Sequence, residues 1–100
     1  MKKHVLDYQA IGSRLHEARQ AKNITQQELA QLVGVSTSYI GHLERGIKRG
    51  SLDAMAYICQ ELDISMDFLL TGIDFRKDKN AVIRQYLENQ LVALDASTHS

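Results

Sequence analysis

Apolar residues along this chain recur at helical spacing, and no segment alternates with period two, so the pattern predicts helices and no strands. The first helix is expected from about Tyr8 to Lys22, with Asp7 as N-cap and Ile11, Leu15 and Ala18 on one buried face. Gly12 weakens it, and marks either close packing or fraying near its start. Thr25-Gln26-Gln27-Glu28 forms a capping box for the second helix, whose apolar side is Leu29, Ala30, Leu32 and Val33 and which stops at Gly34. The third starts almost at once, capped by Ser36, with Ile40 and Leu43 inward and Gly46 closing it. Ser51 caps a fourth helix with Leu52, Met55, Ala56, Cys59 and Leu62 on its stripe. Ser65 caps a fifth, with Phe68 and Leu69 inward and Gly72 at its end. A last helix is expected from Ala81 to Leu94, with Ile83, Leu87, Gln90 and Leu94 on its stripe and Tyr86 and Leu91 on the shoulder. It is too short to be stable alone and should dock on the body or on a partner chain.

These elements divide the chain into an N-terminal tail (1–6), one helical domain (7–73), a charged linker (74–80), the last helix (81–95) and a loose tail (96–100). The 12 basic and 12 acidic side chains balance, which argues against coating nucleic acid by bulk charge. A local patch stands out instead: Arg45, Lys48 and Arg49 occur together, with no acid between Arg45 and Ser51. No run has the length of a membrane span, and the first residues lack the apolar core of a signal peptide. The single cysteine, Cys59, fits a reducing cytoplasm and a small core residue. His4, His16, His42 and His99 have no metal-ligand spacing, and no catalytic triad, P-loop or phosphate fingerprint is present. No metal, no cofactor and no enzymatic activity are therefore expected.

The informative region is the second and third helices together. Ala30 is small enough for the next helix to pass closely, Gly34 suits a left-handed turn, and Ile40 and Leu43 plug the contact between them. This leaves one face of the third helix without core duties: Thr37, Ser38, Gly41, His42 and Arg45. A major groove about 12 Å wide admits a helix carrying such a polar stripe.

At these residues the sequence resembles the phage-repressor and Cro type of helix-turn-helix domain. The likeness runs through IGSRLHEARQAKNITQQELAQLVGVSTSYIGHLERG and SLDAMAYICQELDISMDFLLTG, about residues 8 to 72. It implies an all-α domain of five helices around one core, the third in the major groove and the second crossing the phosphates. On that likeness Thr37, Ser38 and His42 sit where bases are read. Gln26 sits where a phosphate is gripped, and Arg45, Lys48 and Arg49 match backbone-binding positions. Arg19 and Glu44 match an internal salt bridge that would pin the third helix. Many relatives have a proline before the fourth helix; Gly50 here leaves that loop freer.

Gly41 is either merely tolerated or needed for close approach of DNA. Tyr39 is read chiefly as packing, with a phosphate contact through its hydroxyl as a second role. The stripe of Ile83, Tyr86, Leu87, Gln90, Leu91 and Leu94 is read as a dimer contact, with an intramolecular strut as its alternative. The expectation is thus a double-stranded DNA-binding regulator, a repressor acting as a homodimer on an operator. Two rivals stay open: a DNA-binding antitoxin that holds a protein partner through its C-terminal helix, and an interaction module that has lost DNA binding.

Overall fold

The protein, described by a computed structural model at residues 6–74, 80, 83, 84 and 86–90, places five helices in chain order. They are α1 (Tyr8–Ala21), α2 (Gln26–Val33), α3 (Thr37–Glu44), α4 (Leu52–Leu62) and α5 (Met66–Thr71). Each begins on a polar side chain that accepts a backbone N–H three residues on, satisfying a donor with no partner inside the helix. Asp7 accepts from Ala10 at 3.1 Å, Thr25 from Glu28 at 3.0 Å and Ser36 from Tyr39 at 3.0 Å. Ser51 accepts from Ala54 at 3.1 Å and Ser65 from Phe68 at 3.0 Å. The Thr25–Glu28 box is complete, since the Thr25 N–H donates back to Glu28 Oε1 at 3.1 Å. At the other end of α2, Gly34 takes φ +77° while its N–H and that of Val35 both donate to Ala30 O. That left-handed residue turns the chain directly into α3.

The core gathers Ile11 and Leu15 of α1, Leu29 and Ala30 of α2, and Ile40 and Leu43 of α3. Met55, Ile58, Cys59 and Leu62 of α4 and Leu69 of α5 complete it. Burial pushes the Cys59 thiol pKa up, as suits a packing residue. Two expectations about apolar faces need correction. On α2, Leu32 is exposed. On α4, the buried face is Ala54, Met55, Ile58, Cys59 and Leu62, so Leu52 and Ala56 do not belong to it. Leu52 is 77% exposed: two residues before the buried Ala54, it points to nearly the opposite side of the helix. Ala56 lies about 100° round the helix from Met55 and faces outward. Phe68 is half-buried, whereas Leu69 is wholly inside.

α1 packs against both α3 and α5, α2 against α3 and α4, and α4 against α5. The α1–α3 approach is the tightest consequence of sequence. A Cβ at Gly12 would lie 2.4 Å from the carbonyl oxygens of both Leu43 and Glu44. Gly12 therefore marks close packing, and the last turn of α3 rests directly on α1. Arg14 secures the other neighbour: its Nη1 donates to Leu69 O at 2.9 Å, supplying a partner to a carbonyl of the last turn of α5.

Among the described residues, none lies in a strand, and no helix is long and apolar enough to cross a membrane. Residues 80, 83, 84 and 86–90 are helical, and Ile83, Tyr86, Leu87 and Gln90 are exposed. Leu91 and Leu94, also expected on that stripe, lie outside the described residues, as do the tail at 96–100 and most of the linker.

Candidate nucleic-acid interface

Because Ile40 and Leu43 point into the core, the opposite side of α3 faces outward. Thr37 and Ser38 are exposed at its start and His42 is half-buried one turn later. With Gly41, Arg45 and Gln26 of α2, they line one groove of about 340 Å³. The structure thus brings the predicted base-reading residues together. Gly41 is itself covered, since a Cβ there would meet the Gln26 carboxamide at 3.6 and 3.8 Å.

Arg45 is the C-cap of α3 and turns back on it, its Nε donating to Gly41 O at 3.3 Å. Lys48 and Arg49 each sit over an aromatic ring: Lys48 Nζ is 5.3 Å from the centre of Tyr39, and the Arg49 guanidinium 5.3 Å from that of Tyr8. Such cation–π contacts hold the stems while leaving the charged groups exposed. The Tyr39 hydroxyl accepts the Ser51 N–H at 2.8 Å and still has its own hydrogen to donate. This bond ties the loop between α3 and α4. Gly50 in that loop has φ +78°, a backbone that proline cannot adopt, and a Cβ there would lie 2.9 Å from Leu43, 3.1 Å from Met55 and 3.3 Å from the Tyr39 hydroxyl. The loop that a glycine was expected to free is thus tied to α3 and packed on the core.

Behind the reading face lies a buried ionic knot. Arg19 Nε donates to Glu44 Oε2 at 2.6 Å and Arg19 Nη2 to Glu44 Oε1 at 3.0 Å, a two-pronged pairing of α1 with the end of α3. Arg19 Nη1 also donates to Ile24 O at 2.8 Å, just before α2. Two members escaped sequence reasoning: His16 Nδ1 lies 2.8 Å from Glu44 Oε1, and Gln26 Nε2 donates to the same oxygen at 3.1 Å. The same His16 Nδ1 also lies 3.1 Å from Arg19 Nη2, so the imidazole donates to the carboxylate or accepts from the guanidinium according to its tautomer. Burial would raise the Glu44 pKa, but the hydrogen bonds from Arg19, His16 and Gln26, with the charge of Arg19, outweigh it and hold the carboxyl below its ordinary value. The bond to Glu44 likewise raises the Arg19 pKa. His16 precedes Arg19 by three residues on α1, which places both on one face, but only the fold shows what that face meets.

A helix-turn-helix family model matches residues 15–69, more than half of the chain, and the chain belongs to that family. Among solved structures, the restriction-modification controller protein C.AhdI from Aeromonas hydrophila is 39% identical. The match covers 64% of this chain and 97% of that one, with a TM-score of 0.61. The P22 c2 repressor, solved in complex with a synthetic operator, is 31% identical over 65% of this chain and 98% of its own, with a TM-score of 0.63. The HTH-type transcriptional regulator DdrOP3 of Deinococcus deserti is 31% identical over 71 residues, which are 71% of this chain and 55% of that protein. Against two Rickettsia regulators the match spans about half their length, 51% and 49%.

Proposed function

We propose that the protein is a sequence-specific regulator of transcription that binds double-stranded DNA, a repressor acting as a two-fold dimer. One observation carries this reading: α3 presents Thr37, Ser38 and His42 outward, beside Arg45, Lys48 and Arg49 and with no exposed acid along α3 or the loop after it. Glu44, the one carboxylate of α3, is 4% exposed and spoken for by its donors. In this reading Thr37, Ser38 and His42 meet base edges, and Gly41 keeps the helix slim enough for close approach. The exposed Lys48 and Arg49, Arg45 and the Tyr39 hydroxyl hold phosphates on the flank. The backbone N–H of Gln26, in the first turn of α2, has no partner inside its helix and suits a phosphate oxygen.

The similar P22 c2 repressor was solved in complex with a synthetic operator, which supports operator DNA as the partner of this chain. A dimer follows from charge. A neutral protein with one small basic patch grips a duplex weakly alone, and two copies double the phosphate contacts. Exposed apolar side chains suited to pairing include Ile47, Leu52 and Tyr57 on the body and Ile83, Tyr86 and Leu87 beyond it.

Selecting bound sequences from a random DNA pool tests this. Two related half-sites about 34 Å apart are expected. Recovery of no common sequence overturns the reading, and one isolated half-site overturns the dimer. Replacing Arg45 with alanine should weaken all sequences alike and lower the salt slope by about one. A slope equal to wild type would remove Arg45 from the phosphate contacts.

A further inference from the structure

The side chain of Gln26 belongs to α2, yet it lies on the reading face of α3. There it lies beside Gly41, the one residue of that face without a side chain. Position 41 falls in the middle of the stripe Thr37, Ser38, Gly41, His42 and Arg45, where any other residue would project a side chain toward the groove. The Gln26 carboxamide lies directly beside Gly41: a Cβ there would touch it at ordinary contact distance, Oε1 at 3.6 Å and Nε2 at 3.8 Å. Gln26 and Arg45 thus flank the gap that position 41 leaves in the stripe.

Its orientation is fixed from behind. The buried Glu44 carboxylate can only accept, so the amide nitrogen of Gln26, and not its oxygen, must face it; the distance is 3.1 Å. Arg19 binds both oxygens of that carboxylate, and His16 Nδ1 lies at the same Oε1 that Gln26 meets. Glu44 takes one of the two Nε2 hydrogens. The other hydrogen and Oε1 are left for a further partner, and they form one edge when Glu44 takes the hydrogen trans to Oε1. An acceptor beside a donor on one planar edge is the complement of the adenine edge in the major groove, which offers an N6 donor and an N7 acceptor.

We propose that Gln26 is a base-reading residue: held by Glu44 across Gly41, it presents its carboxamide edge to an adenine in each half-site. This replaces the phosphate contact expected for its side chain, and it rests on the DNA-reading function proposed above. Glu44 is then a positioning residue, acting on the base only through Gln26.

The test compares wild type with Gln26→Ala, each confirmed folded by circular dichroism. Both are selected on a random DNA pool, then measured on the recovered site with adenine, each other base, or 7-deazaadenine at the Gln26-dependent position. Wild type should require adenine at one position per half-site. Gln26→Ala should lose that preference by roughly 5- to 150-fold, the range for one two-bond base contact, and keep every other preference. Removing N7 should weaken wild type and leave Gln26→Ala unaffected. If Gln26→Ala weakens all sequences by one factor, its side chain holds a phosphate and this proposal fails while the DNA-reading function stands. Unchanged preferences at every position overturn it equally. If wild type selects nothing, both fail together.

Discussion

Replacing Gly12 with alanine is expected to destabilise the protein by about 3 kcal/mol or more, at or beyond the upper end for overpacking a core. The direction opposes helix propensity, by which alanine inside an exposed helix gains about 1 kcal/mol over glycine. The reason is what the methyl group would strike. At 2.4 Å it would meet the carbonyl oxygens of both Leu43 and Glu44, which are backbone atoms and cannot rotate aside. α1 and α3 would have to separate, and the Arg19–Glu44 pairing spans that same contact. A loss of this size is a large share of the stability of a small domain, commonly about 5–15 kcal/mol. The midpoint of urea unfolding measures it, and a midpoint equal to or above wild type would mean that the two helices do not touch there.

The second large effect is expected at Arg19. Its replacement by alanine leaves Glu44 buried without its strongest partner, and breaking such a pair from one side costs about 3–5 kcal/mol. The pH dependence separates this cause from simple loss of packing. In wild type the Glu44 pKa is held below its unfolded value. Its contribution is therefore complete above the unfolded value, near pH 4.3, and is lost as pH falls through the folded value. In Arg19→Ala, burial is the dominant remaining influence and favours the protonated carboxyl. Acid should then relieve the variant while it weakens wild type, and the gap between their urea midpoints should narrow from pH 7 to pH 4. A constant gap would show that Arg19 acts through its aliphatic stem and not through its charge.

Local chemistry explains what could be read from residues alone. Asp7, Thr25, Ser36, Ser51 and Ser65 each cap a helix because the bond spans only three residues, and Gly34 and Gly72 end helices through their own backbone angles. The core positions of α1 and α3 were legible for the same reason, since Ile11, Leu15, Ile40 and Leu43 repeat with the helical period. The buried face of α4 lies part of a turn away from the stripe that its apolar pattern predicts. Leu52 and Ala56 share the apolar character of Ala54 and Ile58, and only the positions of α2 and α5 decide which of them is covered. Likewise His16 and Gln26 reach Glu44 from 28 and 18 residues away, a convergence no local pattern contains. The pairing of Arg19 with Glu44 was anticipated through the family likeness, because neither spacing nor composition links residues 25 apart.

The central claim is that the exposed side of α3 is the surface that meets DNA. Backbone amide chemical shifts, followed while a selected operator duplex is added to the full chain, test it most directly. The largest changes should fall on Gln26, Thr37, Ser38, Gly41, His42 and Arg45, with smaller ones at Lys48 and Arg49. Changes centred on the exposed Leu52 and Tyr57 of α4, with α3 unmoved, would contradict it.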